Sequence, residues 1–400
     1  MIQPPLEIRV YDSFDAAAAV RARWDQLAAD NTMLQWTWLS QWWRVYSPAR
    51  LPGARCLLLC LGDRGDRVAG IVPLYRAPHL RGTALRFMGD GEVCSDYLRL
   101  LCEPGAEAAV ASGLATWLAQ SDFAVRYGRF DWLEIEGHRS QDQGWQTLSA
   151  ALGQLGWTHQ ARPLCGSWQA TLPDDWKTYC QSLSKSRRRK INKATKLRRE
   201  GQVNFQVLST SAQIAAAWPT FVALHQKRRE SLHEPGCFVS HEFAQFLPAA
   251  IGEMADCGRA HLAQLTSGST PLGFVLLLES SSTLAVYQSG FDPQVGDLEP
   301  GHLLNAYVIE WALQRGIRHY DFLRGDEHYK SGWGGIRCEL LRTRWVAPQL
   351  ASRVKHQLWN AGRWLKSWAT ERRAADPSAG GEADDESTPA TPTPQASSLA

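Results

Sequence analysis

No Cys-x-x-Cys pair occurs in this sequence, although nine cysteines are present. They stand singly at Cys56, Cys60, Cys94, Cys102, Cys165, Cys180, Cys237, Cys257 and Cys338, and none has a histidine at metal-ligand spacing. An odd, scattered set argues against a disulfide framework and for reduced, mostly buried thiols. No metal and no permanently bound cofactor are expected. The first ten residues, MIQPPLEIRV, lack the basic stretch and apolar run of a secretory signal. The longest apolar runs, such as 57–61 and 274–278, fall far short of the roughly 20 residues that span a bilayer. A cytoplasmic location is the expectation. No tandem repeat of short fixed period is visible. The net charge of +3 excludes no class of partner.

Tryptophan, by contrast, is plentiful. Its 18 copies suit deep cores, apolar clefts and interfaces, because each carries a large apolar area and one N–H donor. With 400 residues the chain exceeds the size at which one core usually stops growing, which predicts two domains. The first, residues 1–165, opens with a strand at 6–11 and a helix carrying Val20, Trp24 and Leu27 on one face. A second helix spans 36–46, and strands at 55–61 and 67–75 flank the turn sequence GDRGD. A strand near 96–101, a helix over 106–119, a strand at 130–135 and a helix ending near 153 follow.

The second domain, residues 166–347, starts with a strand at 166–172 and a helix start at Asp174 and Asp175. A basic helix over 184–200, a strand at 203–208 and helices over 211–230 and 240–256 come next. Strands at 259–265, 271–279 and 283–289 precede a helix over 302–315 and strands at 318–323 and 339–346. Consecutive antiparallel strands, then a helix and a strand, predict an α+β fold of mixed, largely antiparallel sheets flanked by helices. The two series are compatible with a degenerate duplication. Residues 348–375 read as a basic amphipathic helix. Residues 376–400, rich in Pro, Ser, Thr, Gly and acids, read as a disordered tail.

Three stretches carry chemistry. In Tyr287-Gln-Ser-Gly-Phe-Asp-Pro and Glu299-Pro-Gly-His, a strand ends and a helix opens. The free N–H groups and positive dipole end of such a helix form an anion site, and glycine lets a phosphate approach. The donor-binding candidates are Gln288, Ser289, Gly290, Pro300, Gly301 and His302. At Asp321-Phe-Leu-Arg-Gly-Asp-Glu-His-Tyr-Lys-Ser-Gly-Trp, a strand ends in a dense polar cluster, a frequent place for active sites. Between Lys185 and Arg199 lie nine basic residues and no acid, with Leu183, Ile191, Ala194 and Leu197 as a narrow apolar seam. Such a surface attracts phosphate-bearing partners. No helix-turn-helix or zinc-finger context accompanies it, which speaks against double-stranded DNA.

The run Tyr287 to Asp292, Pro300 to Leu304, Ile309, Gly316, Asp321, Lys330 and Trp333 resembles the GNAT-type acetyltransferase domain of CelD-like (cellulose-biosynthesis-protein-like) proteins. These are relatives of the Fem-type peptidyltransferases. Ser186-Arg-Arg-Arg-Lys-Ile and Leu224-His-Gln-Lys-Arg are similar to that family as well, and so are Trp38 to Trp43, Gly70 to Tyr75 and Ser95-Asp-Tyr in the first half. The resemblance covers about residues 15–347 and implies tandem GNAT-like domains. It also implies acyl transfer from a thioester, usually acyl-CoA, to an amine acceptor in cell-envelope polysaccharide, lipid or peptidoglycan-linked metabolism. The usual pyrophosphate loop, Gln/Arg-x-x-Gly-x-Gly/Ala, is absent, and Gln288-Ser-Gly with Pro300-Gly301 is a loose substitute.

Aminolysis of a thioester needs a donor to the developing oxyanion, a base for the amine proton and an acid for the thiolate. The backbone around 287–290 could supply the first, with Lys330 as an anion-binding or oxyanion-stabilising charge. Asp321 is the preferred base, directly or through water, and Tyr287 or Tyr329 the acid. Arg187, Arg188, Arg189, His225, Arg228, Arg324, Trp333 and Asp96 are the candidates for substrate and phosphate binding. Fem-type aminoacyl transfer from tRNA and a non-catalytic phosphate- or nucleic-acid-binding module are the alternatives. Residues 350–373 place Leu350, Val354, Leu358, Leu365 and Trp368 near one helical face among basic residues. That stripe either packs on the transferase domain or lies in a membrane interface, as a peripheral contact with the inner face of the membrane.

Overall fold

The structure is a computed structural model and describes residues 6–63, 67–79 and 82–361. The tail at 376–400 and the basic helix beyond 361 lie outside the described residues. The strands are β1 (Glu7–Tyr11), β2 (Arg55–Gly62), β3 (Val68–His79), β4 (Gly82–Phe87), β5 (Leu101–Cys102), β6 (Trp132–Arg139) and β7 (Thr158–Thr171). They continue with β8 (Asn204–Leu208), β9 (Ala260–Ser267), β10 (Thr270–Glu279), β11 (Thr283–Phe291), β12 (His319–Arg324) and β13 (Ile336–Val346). The helices are α1 (Arg21–Leu27), α2 (Trp36–Arg50), α3 (Glu107–Leu118), α4 (Phe123–Tyr127) and α5 (Gln143–Gln154). After them come α6 (Trp176–Ser182), α7 (Lys185–Arg199), α8 (Ser211–Glu230), α9 (His241–Asp256) and α10 (Pro300–Gln314).

All the strands among the described residues join one sheet, in the order β1-β2-β3-β4-β6-β13-β7-β12-β11-β10-β9-β8, with β5 beside β3. Two neighbouring pairs are parallel among the described residues: β4 with β6, and β11 with β12. Parallel neighbours need a crossover connection; α3 and α4 provide the first and α10 the second. The α+β class is therefore as expected, built twice. The last strands are exchanged between the halves. β7 follows the first half, yet its end pairs with β12; β13 follows the second, yet pairs with β6. The expected boundary at 165/166 falls inside β7, which runs unbroken from Thr158 to Thr171 and pairs with β13 over most of its length.

Three local differences have physical causes. Only Leu101–Cys102 of the strand expected near 96–101 joins the sheet, because Tyr97 turns into the left-handed region at φ 61° and the chain reaches into the second half. β4 was not anticipated: GTALRF is short and carries Arg86 in its run. β7 begins eight residues before the expected 166, where THQARPLC lacks a continuous apolar face.

The helices around the second half follow from their sequences. A capping box, Thr210 with Gln213, starts α8. Ser184 Oγ caps α7 by accepting from the Arg187 N–H, and the predicted seam of Ile191, Ala194 and Leu197 is buried. α10 buries nine residues on several sides, including Leu303, Leu304 and Ile309, and so sits within the protein rather than on it. Two apolar cores result. One joins the first half to α8 and α9; the other lies under α6, α7 and α10 and includes Trp333.

Candidate active site

The parallel register of β11 with β12 stops at Ala285↔Asp321. Beyond it β11 continues along β10 to Phe291, while β12 continues along β7, so the strands part into a V. Each arm is distorted where it leaves. Tyr287 is an extra residue in β11, since Val286 faces Leu277 and Gln288 faces Leu276. On β12, Leu323 adopts φ 54°, a strained conformation for a leucine. Two side chains hold that kink. Asp321 Oδ1 accepts from the Leu323 N–H at 2.7 Å, and the Lys330 ammonium donates to the carbonyls of Leu323, Arg324 and Gly325 at 3.2, 2.9 and 3.0 Å.

Residues 93–97 of the first half close one side of the V. Tyr287 donates its hydroxyl to the Val93 carbonyl at 2.8 Å and packs its ring edge-on against Trp38. Asp96, fully buried, receives the Arg324 Nε at 2.7 Å, and its other oxygen the Arg324 N–H at 3.0 Å. The Tyr97 hydroxyl reaches Ser167 Oγ at 2.6 Å and donates to Asp321 Oδ1 at 3.1 Å; Gln169 donates to Asp321 Oδ2, also at 3.1 Å. Asp321 is 1% exposed. Burial pushes its carboxyl up to about 6, against the opposing pull of the Leu323 N–H and the Tyr97 hydroxyl.

Helix α8 packs on the same side. A Cβ on Gly290 would lie 2.5 Å from the His225 backbone nitrogen, so only glycine permits this approach. His225 is buried, its ring nitrogens 3.2 Å from Gln288 Oε1 and 3.1 Å from Gln226 Oε1. Burial lowers its basicity and favours the neutral ring. Arg228 lies over the Phe291 ring at 5.0 Å.

The other side of the V opens on the N-terminus of α10. Glu299 stands at its N-cap with φ 51°, followed by Pro300, Gly301 and His302. Arg187 from α7 donates to His302 Nδ1 at 2.9 Å, and its guanidinium lies 4.6 Å over the Trp333 ring. Lys190 pairs with Glu299. Burial, with Lys190 and Arg187 close by, brings His302 down to about 4. Its imidazole is thus neutral at pH 7, with Nδ1 accepting and the proton on Nε2. Trp333 is fully buried, and its indole N–H has no partner among the described residues. Two cations and the positive dipole end of α10 make this an anion-binding arrangement, although Pro300 carries no N–H and the His302 and Leu303 N–H groups turn back to the Glu299 carbonyl.

Other predicted residues fall outside it or are already engaged. Arg188 donates to the Leu183 and Gln181 carbonyls. Arg189 lines a shallow hollow of about 350 Å³ with Lys185, Cys180 and Asn192. Ser289 sits in the ladder opposite Val275. Lys330 is 3% exposed and also pairs with Glu327 at 2.8 Å, so its charge fixes the turn after β12 and is not free for an oxyanion. Tyr287 has its hydroxyl proton on Val93, whereas Tyr329 is 40% exposed. Sequence reasoning missed Lys190, Glu299, Ser167 and Gln169 as members of the site. The one available signal was Glu299 directly before Pro300-Gly301, an acid at the mouth of a predicted anion site. Among the described residues, four of the five non-glycine residues with positive φ, Cys94, Tyr97, Glu299 and Leu323, border the V, and such strain concentrates at functional sites.

Residues 184–331 match the family model described as the acetyltransferase (GNAT) domain. The matched segment contains both arms of the V, α7 and α10, and it makes the second half an acyltransferase domain of the GNAT type. No curated protein matches the sequence. Among solved structures the fold is similar to FemX, with a TM-score of 0.61 at 12% identity, covering 84% of this chain and 98% of that one. It is also similar to a conserved protein of unknown function from Bacteroides thetaiotaomicron, with a TM-score of 0.52 at 12% identity, covering 85% of this chain and 100% of that one. At these identities the likeness is one of fold.

Proposed function

We propose that this enzyme transfers an acyl group from acyl-CoA to an amine acceptor. One observation carries the reading: the V between β11 and β12 opens onto the α10 N-terminus beside Arg187 and Lys190. The donor's phosphates bind there, and its thioester lies in the V. Beyond Ala285 no strand among the described residues pairs with β11 on the β12 side, so backbone N–H groups that point there between 286 and 290 are available to the carbonyl oxygen. The amine nitrogen forms the C–N bond as the C–S bond breaks. Its proton passes to Asp321 through Tyr97 or a water, and the leaving thiolate takes a proton from Tyr329.

The acceptor class, an amine of cell-envelope polysaccharide or lipid metabolism, and the affiliation with CelD-like proteins rest on the motifs quoted above. A second reading has one observation in its favour. Lys185, Arg188, Arg189 and Lys196 are exposed along α7, a cationic rail suited to the phosphates of an aminoacyl-tRNA donor.

A thermal-shift and thiol-release assay with acetyl-CoA, long-chain acyl-CoA and aminoacyl-tRNA tests both. The expected result is a raised melting temperature with a CoA thioester and thiol release on adding amines. Consumption of aminoacyl-tRNA alone would establish the second reading. Neither shift nor release with any CoA thioester sinks the first.

A further inference from the structure

Residues 350–361 form a helix that turns its polar side to the protein. Ser352 Oγ donates to Asp131 Oδ1 at 3.0 Å, and Lys355 Nζ to both Asp131 oxygens at 2.9 and 3.0 Å. Arg353 donates to the Gly156 carbonyl and Arg162 to Asn360, each at 2.8 Å. Trp359 is held by Arg344, 3.8 Å from its ring centre. Leu350, Val354 and Leu358, at i, i+4 and i+8, stand outward with 78%, 49% and 69% of their surface exposed. A helix docked for packing alone presents the opposite face, since each aliphatic side chain left in water forgoes about 1.5–3 kcal/mol of burial. The described part of the apolar stripe therefore does not pack on the transferase domain.

We infer that this face docks on a bilayer surface carrying anionic lipid. Charge selects that occupant. Arg353 and Lys355 bind the protein, but the sequence that follows the helix, residues 362–373, holds four more cations, Arg363, Lys366, Arg372 and Arg373, against one acid, Glu371. Trp364 and Trp368 in the same stretch are residues that favour the membrane–water interface. Leu155, 45% exposed, precedes the Gly156 whose carbonyl Arg353 binds. A second copy of the chain is a poor fit, because three aliphatic side chains offer far less than the roughly 800 Å² per partner of a stable interface. A bilayer asks only for a shallow apolar wedge with basic residues around it. The helix lies on the membrane; no helix among the described residues is long and apolar enough to cross one. The inference stands independently of the acyl-transfer reading.

Co-sedimentation of the full chain with phosphatidylcholine vesicles, with and without phosphatidylglycerol, tests it. The wild type should sediment with the anionic vesicles and much less with the neutral ones. Leu350→Gln, Val354→Gln and Leu358→Gln together should lower the partition coefficient by about tenfold or more, with an unchanged melting temperature, since all three side chains are exposed. Wild-type protein left in the supernatant, or a triple variant that sediments equally, overturns the inference. So does a lipid-free wild-type dimer that the triple variant dissociates, which would assign the face to a second copy.

Discussion

The two halves of the molecule build the same V and use it differently. In the first half β4 and β6 are parallel only from Ala84↔Trp132 to Arg86↔Glu134, as β11 and β12 are from Thr283↔His319 to Ala285↔Asp321. Even the crossover helices start alike: Glu103-Pro-Gly precedes α3 and Glu299-Pro-Gly opens α10. In each, a main-chain bond returns to the glutamate carbonyl, from Ala106 and from His302. The first V, however, is laced shut. Arg86 on β4 reaches Asp90 beyond its own strand and Glu134 and Glu136 on β6, at 2.8, 3.4 and 3.7 Å. Arg342 and Arg344 bind the two glutamates from β13. Among the described residues no ion pair joins β11 to β12. The first half thus uses charge to close its opening and lends residues 93–97 to wall the second, whose open side keeps its cations at a helix N-terminus.

The largest expected effect separates two buried carboxylates. Asp321→Asn should lower turnover by roughly 10²–10⁴-fold, the usual worth of a general base. Asp90→Asn should leave turnover within a few-fold, since Asp90 belongs to the closed V, where it binds Tyr75 and Arg86. Steady-state rates with melting curves on both variants decide this. An equal loss in both would mean that the first half is also catalytic, and the contrast would break.

Next come the two Glu-Pro-Gly turns. Neutralising Arg187 and Lys190 together, each to Gln, should raise the donor KM by about tenfold, or ~1.4 kcal/mol. The effect should be larger at low salt. The counterparts Arg23 and Arg67, which bind Glu103, should leave KM unchanged when replaced by Gln. A KM that responds to both pairs would place donor phosphate at both turns.

Most helices and the strands of the second half were legible because each is set by local pattern. Thr210 with Gln213 caps α8, and Ile191, Ala194 and Leu197 define the seam of α7. What escaped is non-local. The exchange of β7 and β13 leaves no mark within either strand. The likeness of the two halves shows in only three shared residues, Glu-Pro-Gly, which a short-period search passes over. In the site, Asp321 and His302 stood out as chemistry at a strand end and a helix start. Their partners Tyr97 and Ser167 come from other elements, and no spacing announces them; Arg187 stood out within the basic helix, but its pairing with His302 did not. The engagement of Lys330 was hidden for the same reason: its ligands are three carbonyls, which every residue carries.

The third expected effect is on stability against pH. Burial pushes Asp90 and Asp321 each up to about 6 from an ordinary 3.8. Between those values the folded chain binds more protons than the unfolded one, so stability falls as pH rises from about 4 to 6. Asp90→Asn and Asp321→Asn should each remove part of that slope. Glu134 behaves oppositely. Although burial raises it, Arg86 and Arg344 hold it down at about 2, so its contribution is present above about 4.5 and is lost as pH falls towards 2. Urea midpoints across pH should therefore lose their acid limb in Glu134→Gln and keep it in Asp321→Asn. An acid limb equally steep in both would remove charge lacing from the closed V.

The smallest effect concerns Glu299, where strain and charge oppose each other. At φ 51° a glutamate pays about 1 kcal/mol or more that glycine would not. Glu299→Gly relieves this, but loses the partly exposed pair with Lys190, about 0.2–1 kcal/mol, and adds unfolded-chain entropy worth about 0.4–1 kcal/mol. The sum should lie within about 1 kcal/mol of zero in a denaturant midpoint. Binding should respond more clearly. The Glu299 carboxylate occupies Lys190 at the mouth of the anion site, so its removal should lower the donor KM a few-fold, most at low salt. Glu103→Gly, at the turn of the closed V, should leave KM as it was. A raised KM in Glu299→Gly would mean that the carboxylate itself orders the donor, and that the second V binds by a polar contact rather than by unopposed cationic charge.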